Sequence, residues 1–232
     1  MRVRRAHERG LTQTAWLSSH HTFSFGEYFD PNQMGFRSLR VINDDWVAPA
    51  RGFGMHGHKD MEIITLVLEG ELEHQDSLGN RGVLRPGEVQ VMSAGKGIRH
   101  SEVNPSPDRP SHFLQIWIEP RHKGIEPRYA QRQFPLSECR DAWCRIAGSH
   151  DEGDGAFLIH QDVQVLYGAI TRKGQLSLHV GSAGAAWVHI IAGDVRCGSL
   201  TLKEGDALAL DTEQEMTITS QAPRSEVIAF LF

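Results

Sequence analysis

Four residues in two short stretches of this sequence have the types and the spacing of metal ligands: His56 and His58, then His100 and Glu102. Side chains two residues apart point to the same face of a β-strand. On a helix the same spacing places them about 200° apart around the axis, where they cannot bind one ion. The spacing therefore predicts strands that direct all four side chains to one ion, and it excludes the helical motif of zinc proteases.

The four groups offer three imidazole nitrogens and one carboxylate oxygen. This donor set suits iron, manganese, nickel, copper or zinc better than magnesium or calcium, which prefer oxygen ligands. An octahedral shell has about six positions, so four protein ligands leave about two for water, a substrate or dioxygen. The sequence therefore predicts a reactive metal site and not a closed structural one.

The rest of the chain has the features of many short strands joined by turns. Its 23 glycines and 10 prolines are scattered through 232 residues, and apolar and polar residues alternate with period two, as from Phe23 to Gly26. Helix signals are nearly absent. Residues 120–135, which contain three prolines and several charges, predict a connection between two halves with the boundary near Phe134.

Two short motifs occur once in each half and in the same order. Residues 68–72 resemble residues 191–195, and residues 84–88 resemble residues 202–206. Each motif contains a glycine suited to a sharp bend between strands. The repeat predicts an all-β chain of two tandem barrels, with a first domain of residues 1–134 and a second of residues 135–232.

The repeat also predicts which half binds the metal. Counted from the shared glycines, the counterparts of the three histidine ligands in the second half are His179, Gly181 and Ile218. One imidazole is retained, and there is no comparable ligand set. We therefore expect the metal in the first half alone.

Charge and composition narrow the partners and the compartment. The net charge of −5 and the pI near 6.2 provide no basic field, so we expect no direct binding of nucleic acid. No run approaches the roughly 20 apolar residues of a membrane span, and no apolar run of a signal peptide follows the basic N-terminus. The odd set of Cys139, Cys144 and Cys197 argues against a disulfide framework and predicts a reducing, cytoplasmic compartment. We expect a monomer.

The first half also resembles a known superfamily. The patterns Gly52-x3-His56-x-His58-x3-Glu62-x7-Gly70 and Gly95-x-Gly97-x2-His100-x3-Asn104 resemble the two cupin motifs, with Gly95 where the second motif usually has proline. The wider sequence resembles the pirin family strongly over residues 1–134 and weakly beyond them. The matching segments are residues 21–25, 34–36, 40–45, 69–70, 74–77, 93–95 and 100–102.

Pirin-like proteins are two-barrel cupins, built from jelly-roll or double-stranded β-helix domains, with one metal in the N-terminal barrel. The resemblance implies Fe(II), with nickel, manganese, copper or zinc as alternatives, at residues matching the same four positions. Cupins often use the carboxylate of their first motif, here Glu62, so Glu62 and Glu102 compete for the fourth position. We favour Glu102, which shares a strand face with His100, and expect Glu62 behind the ligands, where it fixes a histidine tautomer.

The family implies two classes of function. Bacterial pirin-like proteins include quercetinases, which implies a metal-dependent dioxygenase that cleaves a flavonol-type aromatic substrate with dioxygen. Glu102, or Glu62 if it is nearer, is then the candidate base. Eukaryotic relatives are described as transcription cofactors, which implies instead a metal-sensing regulatory module with a protein partner.

Apolar side chains near the motifs predict a substrate pocket beside the metal: Phe23, Phe25, Phe53, Met55 and Trp117. Several other histidines have no matching partner in the pattern. We expect these to be structural: His20, His21, His74, His112, His160, His179 and His189.

Overall fold

The computed structural model describes residues 1–134, 138–150, 153–181 and 184–232, and these form β-strands joined by turns, with a short 3-10 helix at Ala6–Glu8. This confirms the predicted all-β fold class. In the described part of the chain, no helix is long and apolar enough to cross a membrane. The strands, in chain order, are β1 (Arg2–Arg4), β2 (Gly10–Gln13), β3 (Leu17–His21), β4 (Leu39–Val47), β5 (Gly52–His58), β6 (Glu62–Glu69), β7 (Leu72–Asp76), β8 (Arg81–Leu84), β9 (Glu88–Ser93), β10 (Ile98–Val103), β11 (Ser111–Ile118), β12 (Arg128–Gln133), β13 (Cys144–Gly148), β14 (Phe157–Leu158), β15 (Gln164–Thr171), β16 (Gln175–Val180), β17 (Ala186–Ala192), β18 (Asp194–Cys197), β19 (Leu200–Lys203), β20 (Ala207–Leu210), β21 (Gln214–Ser220) and β22 (Arg224–Leu231).

The described residues divide into two compact units. One, called here the N-terminal barrel, contains Arg9–Phe134 and Ile159–Gln161; the other, the C-terminal barrel, contains Met1–Glu8 and the remaining described residues after position 137. Residues 1–8 belong to the C-terminal barrel and not to the first domain, where the sequence placed them, because β1 pairs with β20. Residue 135, the predicted start of the second domain, lies outside the described residues.

Two sheets form the N-terminal barrel. The larger has the order β12-β9-β6-β11-β4-β3-β2, and the smaller has the order β5-β10-β7-β8. Along its strands, the inner face of the larger sheet has two apolar zones with polar residues between them. Along β6 the inner residues are Ile63, Thr65 and Val67, where the first and last belong to separate apolar clusters. The two apolar clusters hold the sheets together. The polar residues between them are buried and therefore need hydrogen-bond partners inside the barrel.

The C-terminal barrel repeats this plan. Its sheets have the orders β1-β20-β17-β22-β15-β13-β14 and β16-β21-β18-β19, so each strand from β4 to β11 has a counterpart from β15 to β22 in the same place. The glycines of the repeated motifs have matching backbone angles. Gly70 and Gly193 have φ of 72° and 74°, and Gly87 and Gly205 have φ of 88° and 78°. Glycine adopts such positive φ at low cost, which explains why the motifs contain it. The predicted tandem barrels are confirmed.

The cysteines differ from the sequence-based expectation. Cys139 and Cys144 form a disulfide, and Cys197 is free and buried. The two Cα atoms of the disulfide are 5.4 Å apart, because the loop before β13 brings residues only five positions apart to bonding distance. The odd cysteine count therefore gave a wrong expectation about disulfides and no longer supports a reducing compartment. The cytoplasmic location stays a prediction.

Candidate metal centre

The two predicted ligand strands, β5 and β10, are antiparallel neighbours in the smaller sheet of the N-terminal barrel. His56 lies opposite His100, and His58 lies opposite Ile98. The ligand nitrogens of the three histidines lie within 4.8 Å of one another, and Nε2 of His58 is 2.9 Å from Nε2 of His100. Two nitrogens each about 2.1 Å from one ion, at right angles, are about 3 Å apart. The separation therefore suits an octahedral metal ion.

Glu102 lies two residues beyond His100 on β10, and both side chains are buried. His74, His100 and Glu102 form a second group whose ligand atoms lie within 4.8 Å of one another. His100 is common to both groups. Of the four residues predicted from strand spacing, His56, His58 and His100 form one group, and Glu102 belongs to the other group, which shares His100.

A β-bulge in β5 determines which side chains face this centre. His100 pairs with His56 and Glu102 pairs with Phe53, so that Gly54 and Met55 together lie opposite one residue of β10. An extra residue in one strand reverses the alternation of faces. Phe53 therefore shares the face of His56 although the two are three positions apart.

A chain of hydrogen bonds on the facing sheet holds Glu102. Gln90 Nε2 donates to Thr65 Oγ1 at 3.3 Å, Thr65 Oγ1 donates to Gln115 Oε1 at 2.9 Å, and Gln115 Nε2 donates to Glu102 Oε2 at 2.7 Å. Strand register makes this possible, since Gln115 lies opposite both Thr65 and Asn43, and Thr65 lies opposite Gln90. We call Asn43, Gln115, Thr65 and Gln90 the inner polar row. Its donors converge on the carboxylate and fix its position.

Burial sets the charge state of the centre. Loss of solvation, together with nearby His56, lowers the pKa of His58 to about 4. Loss of solvation is also the main cause that lowers the pKa of His100, and the charges of His56 and His58 lower it further. Burial raises the pKa of Glu102 to about 7, against the opposing hydrogen bond from Gln115. The two histidines are therefore neutral at pH 7, the form in which imidazole binds a metal, and the donor set fits a divalent transition metal.

His74 is closer to the centre than the sequence indicated. Its Nδ1 is 3.4 Å from Nδ1 of His100, its Nε2 is 3.2 Å from Oδ2 of Asp76, and its ring stacks on Tyr129 at 4.5 Å. This contact on Nδ1 leaves Nε2 of His100 directed to His58. The expectation that His74 has no matching partner is wrong. The spacing His74-x-Asp76 was a usable signal, since it places both side chains on one strand face.

The structure does not bring Glu62 to the histidine cluster. Ser93 Oγ donates to Glu62 Oε2 at 2.7 Å, and Nδ1 of His160 lies 3.2 Å from Glu62 Oε1. Glu62 is fully buried, but it is three positions from Thr65 on β6 and therefore faces away from the inner polar row. This corrects the proposed roles of Glu62 as ligand, base or partner of a ligand histidine. It also shows that His160 has a specific acidic partner.

A cavity of about 320 Å³ adjoins the centre. Its lining includes the predicted ligands His56, His58 and Glu102 and three of the predicted pocket residues, Phe25, Phe53 and Trp117. The Trp117 ring meets the His58 ring edge-on at 4.8 Å and the Phe25 ring edge-on at 5.4 Å. These aromatic groups form a wall directly beside the histidines.

The other two predicted pocket residues do not line this cavity. Phe23 is buried elsewhere in the core, and Met55 lies on the outer face of β5, where 47% of it is exposed. The lining also contains polar residues that the sequence did not single out. They are Thr12, Ser19, Glu27, Asn43, Asp45 and Gln115, together with His21, which we expected to be structural. Ser19 and His21 lie two residues apart on β3, as Asn43 and Asp45 do on β4, so spacing was a usable signal for these two pairs. Thr12 and Gln115 lie on other strands and had no such signal.

Comparison with known proteins identifies relatives of the whole chain. Residues 2–118 match the family model described as Pirin, and residues 146–230 match the quercetinase C-terminal cupin domain. Quercetin 2,3-dioxygenase of Escherichia coli strain K12 is 44% identical over 228 residues, which cover 98% of this chain and 96% of that protein. A pirin-like protein of Caulobacter vibrioides is 40% identical over 212 residues, which cover 91% of this chain and 90% of that protein.

Solved structures extend the likeness to three dimensions. The structure of the bacterial pirin YhhW from Escherichia coli in complex with nickel(II) superimposes with a TM-score of 0.93 at 43% identity, and the match covers 99% of this chain and 97% of that one. A second structure of YhhW gives a TM-score of 0.94. Sequence and fold agree along the length of the chain, and the chain belongs to the pirin family.

Proposed function

We propose that this protein is a metal-dependent dioxygenase resembling quercetin 2,3-dioxygenase, which cleaves flavonol-type aromatic substrates oxidatively. The observation that carries the proposal is the cavity of about 320 Å³ whose aromatic wall adjoins the histidine cluster. A planar, fused-ring substrate suits a pocket with edge-on aromatic neighbours. The name of the Escherichia coli relative, quercetin 2,3-dioxygenase, supports the same class.

The proposed metal ligands are His56, His58, His100 and Glu102. Fe(II) is our first choice of metal, and the nickel(II) complex of YhhW supports a divalent ion at such a site. A divalent metal supplies Lewis acidity and a template for a substrate oxygen when it is bound.

The chain's own residues bind and orient the substrate and move its proton. Phe25, Phe53 and Trp117 would hold the ring system and keep water from it. Glu102, oriented by Gln115, is the proposed acceptor of the proton from the substrate hydroxyl. In the metal-free protein burial raises the pKa of this carboxyl to about 7, and such perturbed carboxyl groups are typical of catalytic bases.

The test is turnover of quercetin by iron, nickel and manganese forms of the protein, in air and without oxygen. We expect oxygen-dependent loss of quercetin absorbance with at least one metal, and a loss of at least about 100-fold in kcat for Glu102→Gln. His179→Ala, an exposed histidine in the C-terminal barrel, is the matched control and should keep full activity. Absence of turnover with all three metals would overturn the proposal.

A further inference from the structure

The cavity lining contains two carboxyl groups besides Glu102: Glu27, which is exposed, and Asp45, which is buried. Asp45 lies on β4 and lines the same cavity as His56, His58 and Glu102. Only 3% of the residue is exposed. A carboxyl group this deep in an aromatic-walled cavity is costly to bury, so it calls for a chemical reason.

The hydrogen bonds around Asp45 leave one oxygen unused. The Ser19 side chain is hydrogen-bonded to the Asp45 carboxyl, and Ser19 lies directly opposite Asp45 across β3 and β4. Among the described residues, no group hydrogen-bonds to Oδ1 of Asp45. An unsatisfied buried acceptor destabilises the folded protein, and more so when it is charged. Asp45 therefore has spare capacity to accept a hydrogen bond.

Two of its polar neighbours in the cavity do not have the same capacity to accept a further hydrogen bond. His21 uses both ring nitrogens, since Nδ1 is 2.8 Å from Oδ1 of Asn43 and Nε2 is 2.8 Å from Oγ1 of Thr12. Gln115 uses its side-chain oxygen and nitrogen in the chain that ends at Glu102. Asp45 is thus the buried acidic group of this wall, and it keeps one acceptor for a ligand.

The cavity also contains an unused donor. Nε1 of Trp117 has no hydrogen-bond partner among the described residues. Asp45 and Trp117 both line this cavity, and each carries one buried polar atom without a partner among the described residues, an acceptor on Asp45 and a donor on Trp117. A ligand that carries both hydroxyl and ring or carbonyl oxygens satisfies both, whereas a hydrocarbon ring satisfies neither.

We propose that Asp45 is the hydroxyl-recognition residue of this pocket, and that its carboxyl accepts a hydrogen bond from a ligand hydroxyl other than the one at the metal. The proposal rests on the proposed function and narrows its substrate class to aromatic compounds with at least one further hydroxyl group. Burial of Asp45, with the nearby charges of Asp44 and Glu102, raises its pKa to about 7, so a hydroxyl donor also helps to hold the carboxyl ionised.

The test compares two ligands that share the same metal-binding group. Quercetin and 3-hydroxyflavone both carry the 3-hydroxyl and 4-keto oxygens, but 3-hydroxyflavone lacks every other hydroxyl. Binding is measured at pH 8 without oxygen, by quenching of tryptophan fluorescence in nickel-loaded protein. We expect wild-type protein to bind quercetin at least about tenfold more tightly, the size of one hydrogen bond to a charged group.

Variants assign that preference to Asp45. Asp45→Leu should reduce the ratio of the two dissociation constants by about tenfold while 3-hydroxyflavone binds as before, and Asp45→Asn, which keeps a neutral acceptor, should reduce it less. Asp44→Asn is the matched control, because Asp44 is the adjacent carboxyl on the opposite face of β4, bonded to His112. It should keep the wild-type ratio.

The outcomes separate this proposal from the proposed function. An unchanged ratio in both Asp45 variants, equal binding of the two ligands by wild-type protein, or binding of neither overturns the hydroxyl-recognition role. The binding experiment is done without oxygen, so its result does not depend on whether the protein turns over quercetin in air. A wild-type preference that depends on Asp45 without any turnover would instead support the subsite and reject the dioxygenase.

Discussion

The two barrels have the same strand order, but the N-terminal barrel has polar residues in its interior where the C-terminal barrel has apolar ones. In the N-terminal barrel, β5 and β10 pair His56 with His100, whereas in the C-terminal barrel the counterpart strands pair Leu176 with Ile218. The inner polar row has an apolar counterpart as well. Val188 lies opposite both Ala229 and Leu208, and Ala229 also lies opposite Leu166. All of these apolar residues belong to one buried cluster.

This difference separates what the fold needs from what the site needs. The C-terminal barrel shows that the same plan closes around leucine, isoleucine and valine, so the polar residues of the N-terminal barrel are not required for folding. Buried polar groups cost free energy unless they are hydrogen-bonded, and an apolar residue of similar size is often neutral or stabilising. We infer that the N-terminal barrel keeps its polar interior for chemistry.

The largest expected effect is loss of the metal from the N-terminal barrel. His58→Ala removes an imidazole whose Nε2 is 2.9 Å from that of His100, and we expect metal affinity to fall by at least about 100-fold. The variant should stay folded, because the two apolar clusters of the barrel do not depend on an ion. Elemental analysis after purification without a metal-chelating tag, with circular dichroism, measures both.

His179→Ala is the control in the C-terminal barrel. His179 lies on the exposed face of β16, between the buried Leu178 and Val180, and its loss should change neither metal content nor spectrum. A His58→Ala protein that keeps one equivalent of metal would reject the proposed centre. An unfolded one would show that the metal also supports the fold.

The second effect is a pH dependence that only the polar interior can produce. Burial raises the pKa of Asp45 from 3.8 to about 7, so the folded protein holds this proton more tightly than the unfolded chain does. Asp45 therefore lowers the free energy of unfolding progressively as pH rises from about 4 to about 7. Below about pH 4 the carboxyl is protonated in both states and has no such effect. Asp45→Asn removes this penalty.

We therefore expect Asp45→Asn to gain stability over wild type as pH rises from 5 to 8, by about 2 kcal/mol. Urea unfolding of the metal-free proteins at both values measures the difference, and the subtraction cancels the histidine titrations common to both. A difference that is the same at pH 5 and pH 8 would contradict the raised pKa.

Strand spacing and the repeat predicted much of this arrangement from sequence. The spacing of His56, His58, His100 and Glu102 works as evidence because alternation of faces is a local property of a strand. The glycine motifs work for the same reason, since positive φ is a requirement of a single residue.

Contacts between distant segments could not be found in this way. Glu62 meets His160, 98 positions later, and Gln115 becomes part of a row only through its register with Thr65 and Asn43. The repeat itself misaligned one position. Counting assigned His179 to His56, but Leu176 is the residue opposite Ile218. A bulge or a longer loop changes the count without leaving a mark in the pattern.

The smallest expected effect comes from exchanging one residue between the two interiors. Thr65 and Val188 stand five positions before the equivalent glycines, and each lies in the middle of its row. Thr65→Val breaks the chain from Gln90 to Gln115 that orients Glu102, so we expect metal affinity to fall by about tenfold. Isothermal titration with nickel measures it.

Val188→Thr is the reciprocal change and should affect the stability of the protein and not its metal affinity. It places a hydroxyl among Leu208, Ala229 and their apolar neighbours, where no row of polar partners exists in the described residues, and should lower the free energy of unfolding by about 1–3 kcal/mol. Metal affinity should stay at the wild-type value. Equal effects of the two exchanges on affinity would show that the rows act on general stability alone, and would remove the functional reason for the polar interior.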